Sequence, residues 1–100
     1  MKKSDVIQTQ GKRKTSIARA TLKSGKGKVT INGQYLSNFG TEVSRLRIME
    51  PLLLAGKVSE KVNISVSVNG GGVNGQSDAS RLAIARGLVQ YDESLKEVFT

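Results

Sequence analysis

Apolar and polar residues alternate along three stretches of the chain, and each stretch predicts a β-strand with one buried face. Within residues 15–23, Ala18, Ala20 and Leu22 alternate with Arg19, Thr21 and Lys23, the two-residue period of a half-buried strand. Ser24-Gly25-Lys26-Gly27 is a turn signal; Val29 and Ile31 then alternate with Lys28, Thr30 and Asn32 until Asn32-Gly33 marks a second turn. The two segments read as a hairpin with basic residues on its outer face. Residues 62–68 carry the cleanest pattern, with Val62, Ile64, Val66 and Val68 alternating strictly with Asn63, Ser65 and Ser67.

Helical spacing takes over elsewhere. Thr41 is the expected N-cap of a helix with Glu42 in its first turn; Val43, Leu46 and Met49 or Glu50 follow, and Pro51 is expected to break the helix near Glu50. Leu52, Leu53 and Leu54 then supply core material, with Gly56 as the stop. Further on, Ser77 is expected to cap a helix whose apolar stripe is Leu82, Ala85, Leu88 and Val89. Asp92-Glu93 starts a short last helix holding Leu95 and Phe99. Strands with few helices predict an α+β fold in which helices cover one face of a sheet. A length of 100 residues suits one domain over 1–100, with residues 1–5 expected to be flexible.

Charge changes the picture. Sixteen Lys and Arg against 8 Asp and Glu give +8, a balance that suits a polyanion such as nucleic acid, an anionic membrane or an acidic protein. The excess is local: residues 1–50 hold 11 basic and 3 acidic side chains, residues 51–100 five of each. Cys and His are absent, which removes thiol and imidazole chemistry and the commonest metal ligands. No apolar run approaches the roughly 20 residues that span a bilayer. The start Met1-Lys2-Lys3-Ser4-Asp5 lacks the apolar stretch of a secretory signal. A cytoplasmic chain without membrane attachment is expected.

Gly11-Lys12-Arg13-Lys14-Thr15 places three consecutive cations beside a glycine, just before a strand, where a flexible turn can lay N–H groups and cationic heads along phosphates. Arg19, Lys23, Lys26 and Lys28 extend that positive surface. A solvated charge run is the plain alternative, and contiguity with the basic strand faces favours binding. Residues 70–75, Gly-Gly-Gly-Val-Asn-Gly, match the dinucleotide fingerprint G-x-G-x-x-G between a strand and a helix. The second parallel strand that completes such a site is missing, because the chain is still helical near Asp92. No Gly-Lys-Ser or Gly-Lys-Thr follows the glycines either, so a P-loop is excluded. A glycine-rich turn feeding a helix N-terminus still favours an anion, RNA phosphate included; a plain tight turn is the competing reading.

Ala79, Ala83 and Gly87 form a stripe of small residues at four-residue spacing between Arg81 and Arg86, suited to close packing against protein or against an RNA backbone. Tyr35, Phe39, Tyr91 and Phe99 are not interleaved with the cations, so no base-stacking platform is visible. Glu42, Glu50, Asp78, Asp92 and Glu93 show no spacing that assembles a general acid and base.

Four blocks, in order, resemble the family of the ninth protein of the small ribosomal subunit, which binds small-subunit rRNA. They are Gly11-Lys12-Arg13-Lys14-Thr15 with Ala18-Arg19; Gly25-Lys26-Gly27-Lys28 with Ile31-Asn32-Gly33; Arg47-Ile48-Met49-Glu50-Pro51-Leu52, of archaeal and eukaryotic type; and Gly70 to Gln76 followed by Arg81-Leu82-Ala83-Ile84-Ala85-Arg86. The resemblance implies an α+β sheet of about four strands with helices on one side. It also implies a left-handed crossover like that of the second domain of the subunit's fifth protein, where pattern alone would predict a right-handed one.

The candidate RNA-binding residues are Lys12, Arg13, Lys14, Thr15, Arg19, Lys26, Lys28, Gly71, Gly72, Gly75, Gln76, Arg81 and Arg86. The resemblance implies a structural role in the subunit head with rRNA and neighbouring head proteins as partners, and no catalysis, cofactor or metal. The family continues into a long basic tail that reaches tRNA, and no such tail precedes Thr100, so tRNA contact is not expected of these residues. The rival readings are a free-standing architectural or regulatory RNA-binding module and a nucleotide-binding fragment using residues 70–76.

Overall fold

Val62, Ile64, Val66 and Val68 are all buried, and the strand that carries them lies in the middle of the sheet. The computed structural model describes residues 6–97; the expected flexibility of 1–5 and the place of Phe99 lie outside the described residues. Five strands, β1 (Ile7–Arg13), β2 (Ser16–Ser24), β3 (Val29–Ile31), β4 (Gln34–Tyr35) and β5 (Val62–Asn69), form one sheet in the order β1-β2-β5-β3-β4. All pairings are antiparallel except β3 with β5. Between these two the chain crosses over through α1 (Glu42–Ala55), and α2 (Val73–Tyr91) follows β5.

One face of the sheet is covered. Ala18, Ala20 and Leu22 of β2, Ile31 of β3 and the four β5 side chains meet α2's Ala79, Ala83, Ile84 and Leu88 and α1's Ile48 in a single apolar core. Burying an aliphatic side chain of this size contributes roughly 1.5–3 kcal/mol. The seam of α2 against β1 and β2 is unusually close. A Cβ on Gly11 would lie 2.4 Å from the Ala79 carbonyl oxygen and 2.8 Å from the Ala83 nitrogen, and one on Gly87 would lie 2.5 Å from Leu22 Cδ1. Thr9 Oγ1 donates to the Ala83 carbonyl at 2.7 Å across the same seam. The small stripe of α2 therefore packs on protein, and of its two readings the RNA-backbone one falls.

Several expectations are corrected. The α+β sheet is as expected, about four strands being five here, and the first correction is local: β1 takes in Gly11, Lys12 and Arg13. Three residues expected in a flexible turn are strand, and Ile7 is the only apolar core side chain of β1, so alternation gives no signal there. The segments around 15–23 and 29–31 are not a hairpin: β5 lies between them. Their linker is tied to β5 by the Lys26 and Lys28 N–H groups, which donate to Asn63 Oδ1 at 3.0 and 3.1 Å. The hairpins are β1–β2 and β3–β4 instead.

Helix α1 begins as expected, with Thr41 and Ser44 forming a reciprocal capping box, and ends at Gly56. It runs through Pro51, whose ring is fully buried, so apolar burial offsets the lost hydrogen bond. Its inward face is Ser44, Ile48, Pro51 and Ala55, while Leu46 and Leu53, expected inside, are 57% and 71% exposed. Val43, Met49 and Leu54 are exposed as well, and only Leu52 of the three leucines packs against the core.

Helix α2 starts one turn before Ser77, with Gly72 as its N-cap. Ser77 is buried and donates back to the Asn74 carbonyl at 2.9 Å. Of the expected stripe only Leu88 is fully buried; Leu82, Ala85 and Val89 flank a contact made by smaller residues. Asp92 caps the turn Glu93–Lys96, which seats Leu95. The hydroxyl and then the N–H of Ser94 hold its carboxyl below the usual carboxylate range.

Because backbone atoms, not a flexible side chain, would meet the new methyl, Gly11→Ala is expected to cost about 2–3 kcal/mol, read as a lower urea midpoint at unchanged slope. An unshifted midpoint would show that α2 does not seat there.

Candidate nucleic-acid interface

The β1–β2 turn and the start of α2 are far apart in sequence and are joined by the bonds around Gly70. Ser16, buried at the start of β2, donates its hydroxyl to the Gly70 carbonyl at 2.9 Å, and Gln76 Nε2 donates to the same oxygen at 3.2 Å. Gly70 has φ +79°, and a Cβ there would lie 2.2 Å from the Thr15 carbonyl. The left-handed backbone and the close approach both demand glycine.

The result is an open cleft lined by Lys14, Thr15, Ser16, Thr41 and Gly71 to Gly75. Two candidate groups that the sequence shows separately, Lys14-Thr15 and Gly71-Gly72-Gly75-Gln76, thus share one site. Gly72, at φ −99° with nothing within 4 Å of an added Cβ, needs no left-handed conformation. No side chain caps α2, and its first residues line the cleft together with Lys14, an arrangement that favours an anion. Lys14 itself sits at φ +54°, which costs a non-glycine residue about 1–2 kcal/mol.

The register sorts the remaining cations. Since Ala18, Ala20 and Leu22 face the helices, Ile17, Arg19, Thr21 and Lys23 face the uncovered side of the sheet, where Gln8, Gln10 and Lys12 of β1 and Asn63, Ser65 and Ser67 of β5 join them. Among the described residues, no strand contains a carboxylate. Among the described residues, the acidic groups lie on the helices, their connecting turns and the last turn. Lys12, Lys14, Arg19, Lys23 and Lys26 are exposed, and none belongs to the ion pairs found among the described residues.

Arg13 donates to the Lys12 carbonyl at 2.9 Å. Lys28 stands over the Tyr35 ring, 5.4 Å from its centre. Lys26 and Lys28 sit at the far end of β2 from the cleft, about 30 Å away at the rise of a strand.

Arg81 and Arg86 do not join this surface. Arg81 pairs with Glu50 of α1, as Arg47 does with Asp78 at 3.3 Å, and Arg86 donates to the Gln10 carbonyl at 2.8 Å. These bonds fasten the helices to each other and to the edge strand. Gln8, Gln10, Thr21, Ser65 and Ser67 escape a reading of the sequence, since Ser and Gln on a strand look like ordinary solvent face; their strand parity is the available signal.

An uncovered cationic sheet face without carboxylates, ending in a glycine-rich cleft, defines an α+β domain built to bind a polyanion. Residues 11–100 match the Ribosomal protein S9/S16 family, and the chain belongs to that family. It is 48% identical over 97 residues to small ribosomal subunit protein uS9 of Thermoplasma volcanium, covering 95% of this chain and 74% of that protein. With uS9 of Thermoplasma acidophilum it is 53% identical over 93 residues (91% and 72%), and with uS9 of Pyrobaculum aerophilum 48% over 96 (94% and 68%).

Gly70→Ala is expected to lose about 2–3 kcal/mol of stability, while Gly72→Ala stays within about 0.5 kcal/mol of the parent. Equal midpoints in urea would contradict the geometry of this turn.

Proposed function

We propose that the chain is a structural constituent of the small ribosomal subunit that neutralises and locks folded rRNA helices in the subunit head, acting as one RNA-binding domain over residues 1–100. The observation that carries this reading, in a chain of this family, is the segregation of charge. Among the described residues the strands hold no carboxylate, and Lys12, Lys14, Arg19 and Lys23 are exposed along the uncovered face and at the cleft with no acidic partner, whereas Arg47 and Arg81 on the helices are paired with acids. Lys12, Arg13, Lys14 and Arg19 meet phosphates, with Lys26 and Lys28 at the far end of the same face. Thr15, Gly71, Gly72, Gly75 and Gln76 let the RNA backbone approach the start of α2. Arg81 and Arg86 support the surface by holding α2 in place. The role is structural, the stabilisation of folded rRNA, with no catalytic step.

Neighbouring head proteins are further partners, and no described residue is assigned to tRNA. The place of action is the ribosome in the cytoplasm. No helix among the described residues is long and apolar enough to cross a membrane.

Binding to phosphates releases counterions, so the slope of log affinity against log salt counts the phosphates neutralised. Replacing Lys12, Arg13 and Lys14 by Ala is expected to flatten the slope measured on small-subunit rRNA by up to about 2.7 units, at about 0.9 for each phosphate left without its cation. An unchanged slope would mean that the three cations are merely solvated.

A further inference from the structure

The uncovered face is ordered in rows across the strands. One row is Lys12, Ile17 and Asn69; the next Gln10, Arg19 and Ser67; the third Gln8, Thr21, Ser65 and Thr30; the last Lys23 and Asn63. Rows of one face repeat every second residue, so the outer two lie about 20 Å apart. Lys12 and Lys23 therefore stand at the two ends of the face, and between them lies a band of hydroxyls and amides with Arg19 as its one cation. Two shallow grooves follow the band, one lined by Gln8, Gln10, Arg19, Thr21, Ser65 and Ser67, the other by Lys23, Lys28, Thr30 and Asn63 with Thr21 and Ser65 again. Among the described residues, the side chains of Gln8, Gln10, Thr21, Thr30, Ser65 and Ser67 form no hydrogen bond within the protein, so each is free for a ligand.

Building on the proposed RNA-binding role, we infer that this face receives double-stranded RNA, with the wide, shallow minor groove of the A-form helix laid across the band. Hydroxyl and amide groups of the middle rows meet the 2′-hydroxyls, which both donate and accept. Lys12 with Arg19 towards one end, and Lys23 at the other, meet the phosphate strands on either side of the groove. Single-stranded RNA fits the face poorly, because bases stack on aromatic platforms. Among the described residues Tyr35 is the only aromatic residue in the strands, at the sheet's edge in β4, and Lys28 stands over its ring. DNA supplies the phosphates without the 2′-hydroxyls, so the hydroxyls and amides of the band are what tell the two duplexes apart.

The test compares the full chain's affinity for an RNA duplex of about 16 base pairs, the span of known shape-reading modules, with that for a DNA duplex of the same sequence. The wild-type chain is expected to prefer RNA at least about tenfold. Ser65→Ala with Ser67→Ala is expected to reduce that preference about tenfold at unchanged salt slope, as the removal of two hydrogen bonds predicts. Ser65→Thr with Ser67→Thr, which keeps both hydroxyls on a residue that favours strands, retains it. Arg19→Gln with Lys23→Gln flattens the salt slope by about 1.8 units.

Equal affinity of the wild-type chain for RNA and DNA duplexes, or an alanine pair with undiminished preference, would overturn the inference. If small-subunit rRNA binding then still responded to the loss of Lys12, Arg13 and Lys14, the proposed function would stand without it. If that response were also missing, the function itself would fall.

Discussion

The close seam between α2 and the β1–β2 ribbon is the constraint on which the rest depends. Gly11 and Gly87 leave no room for side chains there, and Thr9 is hydrogen-bonded to the backbone of α2. With the helix held this near the sheet, the loop before it meets the turn between β1 and β2, and Ser16 and Gln76 close on the Gly70 carbonyl. The same seam covers one side of the sheet and leaves the other to solvent. Both halves of the interface, the cleft and the uncovered face, thus follow from one packing decision made by small residues.

Charge then follows architecture. The acidic groups that balance Arg47 and Arg81 are placed where the two helices touch. Among the described residues the strands carry cations and no acids, so the charges that the strands place on the uncovered face have one sign. A surface of this kind draws in phosphate over about a Debye length, and neutral hydrogen-bonding groups within it supply discrimination at close range. The division between long-range attraction and short-range selection matches what a protein that fixes RNA shape requires.

Much of this was legible in the sequence, and the failures have physical causes. The strands of Ala18 to Leu22 and Val62 to Val68 stood out because half-buried strands must alternate. The cap at Thr41 and the stop at Gly56 were visible because backbone groups at helix ends need partners. The order of strands was hidden, since Gly25 and Gly27 suit a hairpin turn as well as a linker bridged by Asn63. Strand β1 was hidden because a helix pressed onto it favours glycine over large apolar side chains. In α1 two apolar stripes competed, and the one containing Leu46 and Leu53 lost to Ile48, Pro51 and Ala55. The cation triplet and the glycine loop were each recognised, but their meeting depends on Ser16 reaching Gly70, 54 residues away in sequence. The neutral groups of the uncovered face became visible only once the pairing showed them lying together.

Sedimentation of a native lysate through a sucrose gradient, with this protein followed by mass spectrometry before and after a high-salt wash, tests the central claim most directly. A structural constituent travels at one copy per small subunit and stays through the wash, because many phosphate contacts and a shaped surface hold it. A protein found at the top of the gradient, or released by moderate salt, would contradict the account and mark a weak or regulatory RNA binder.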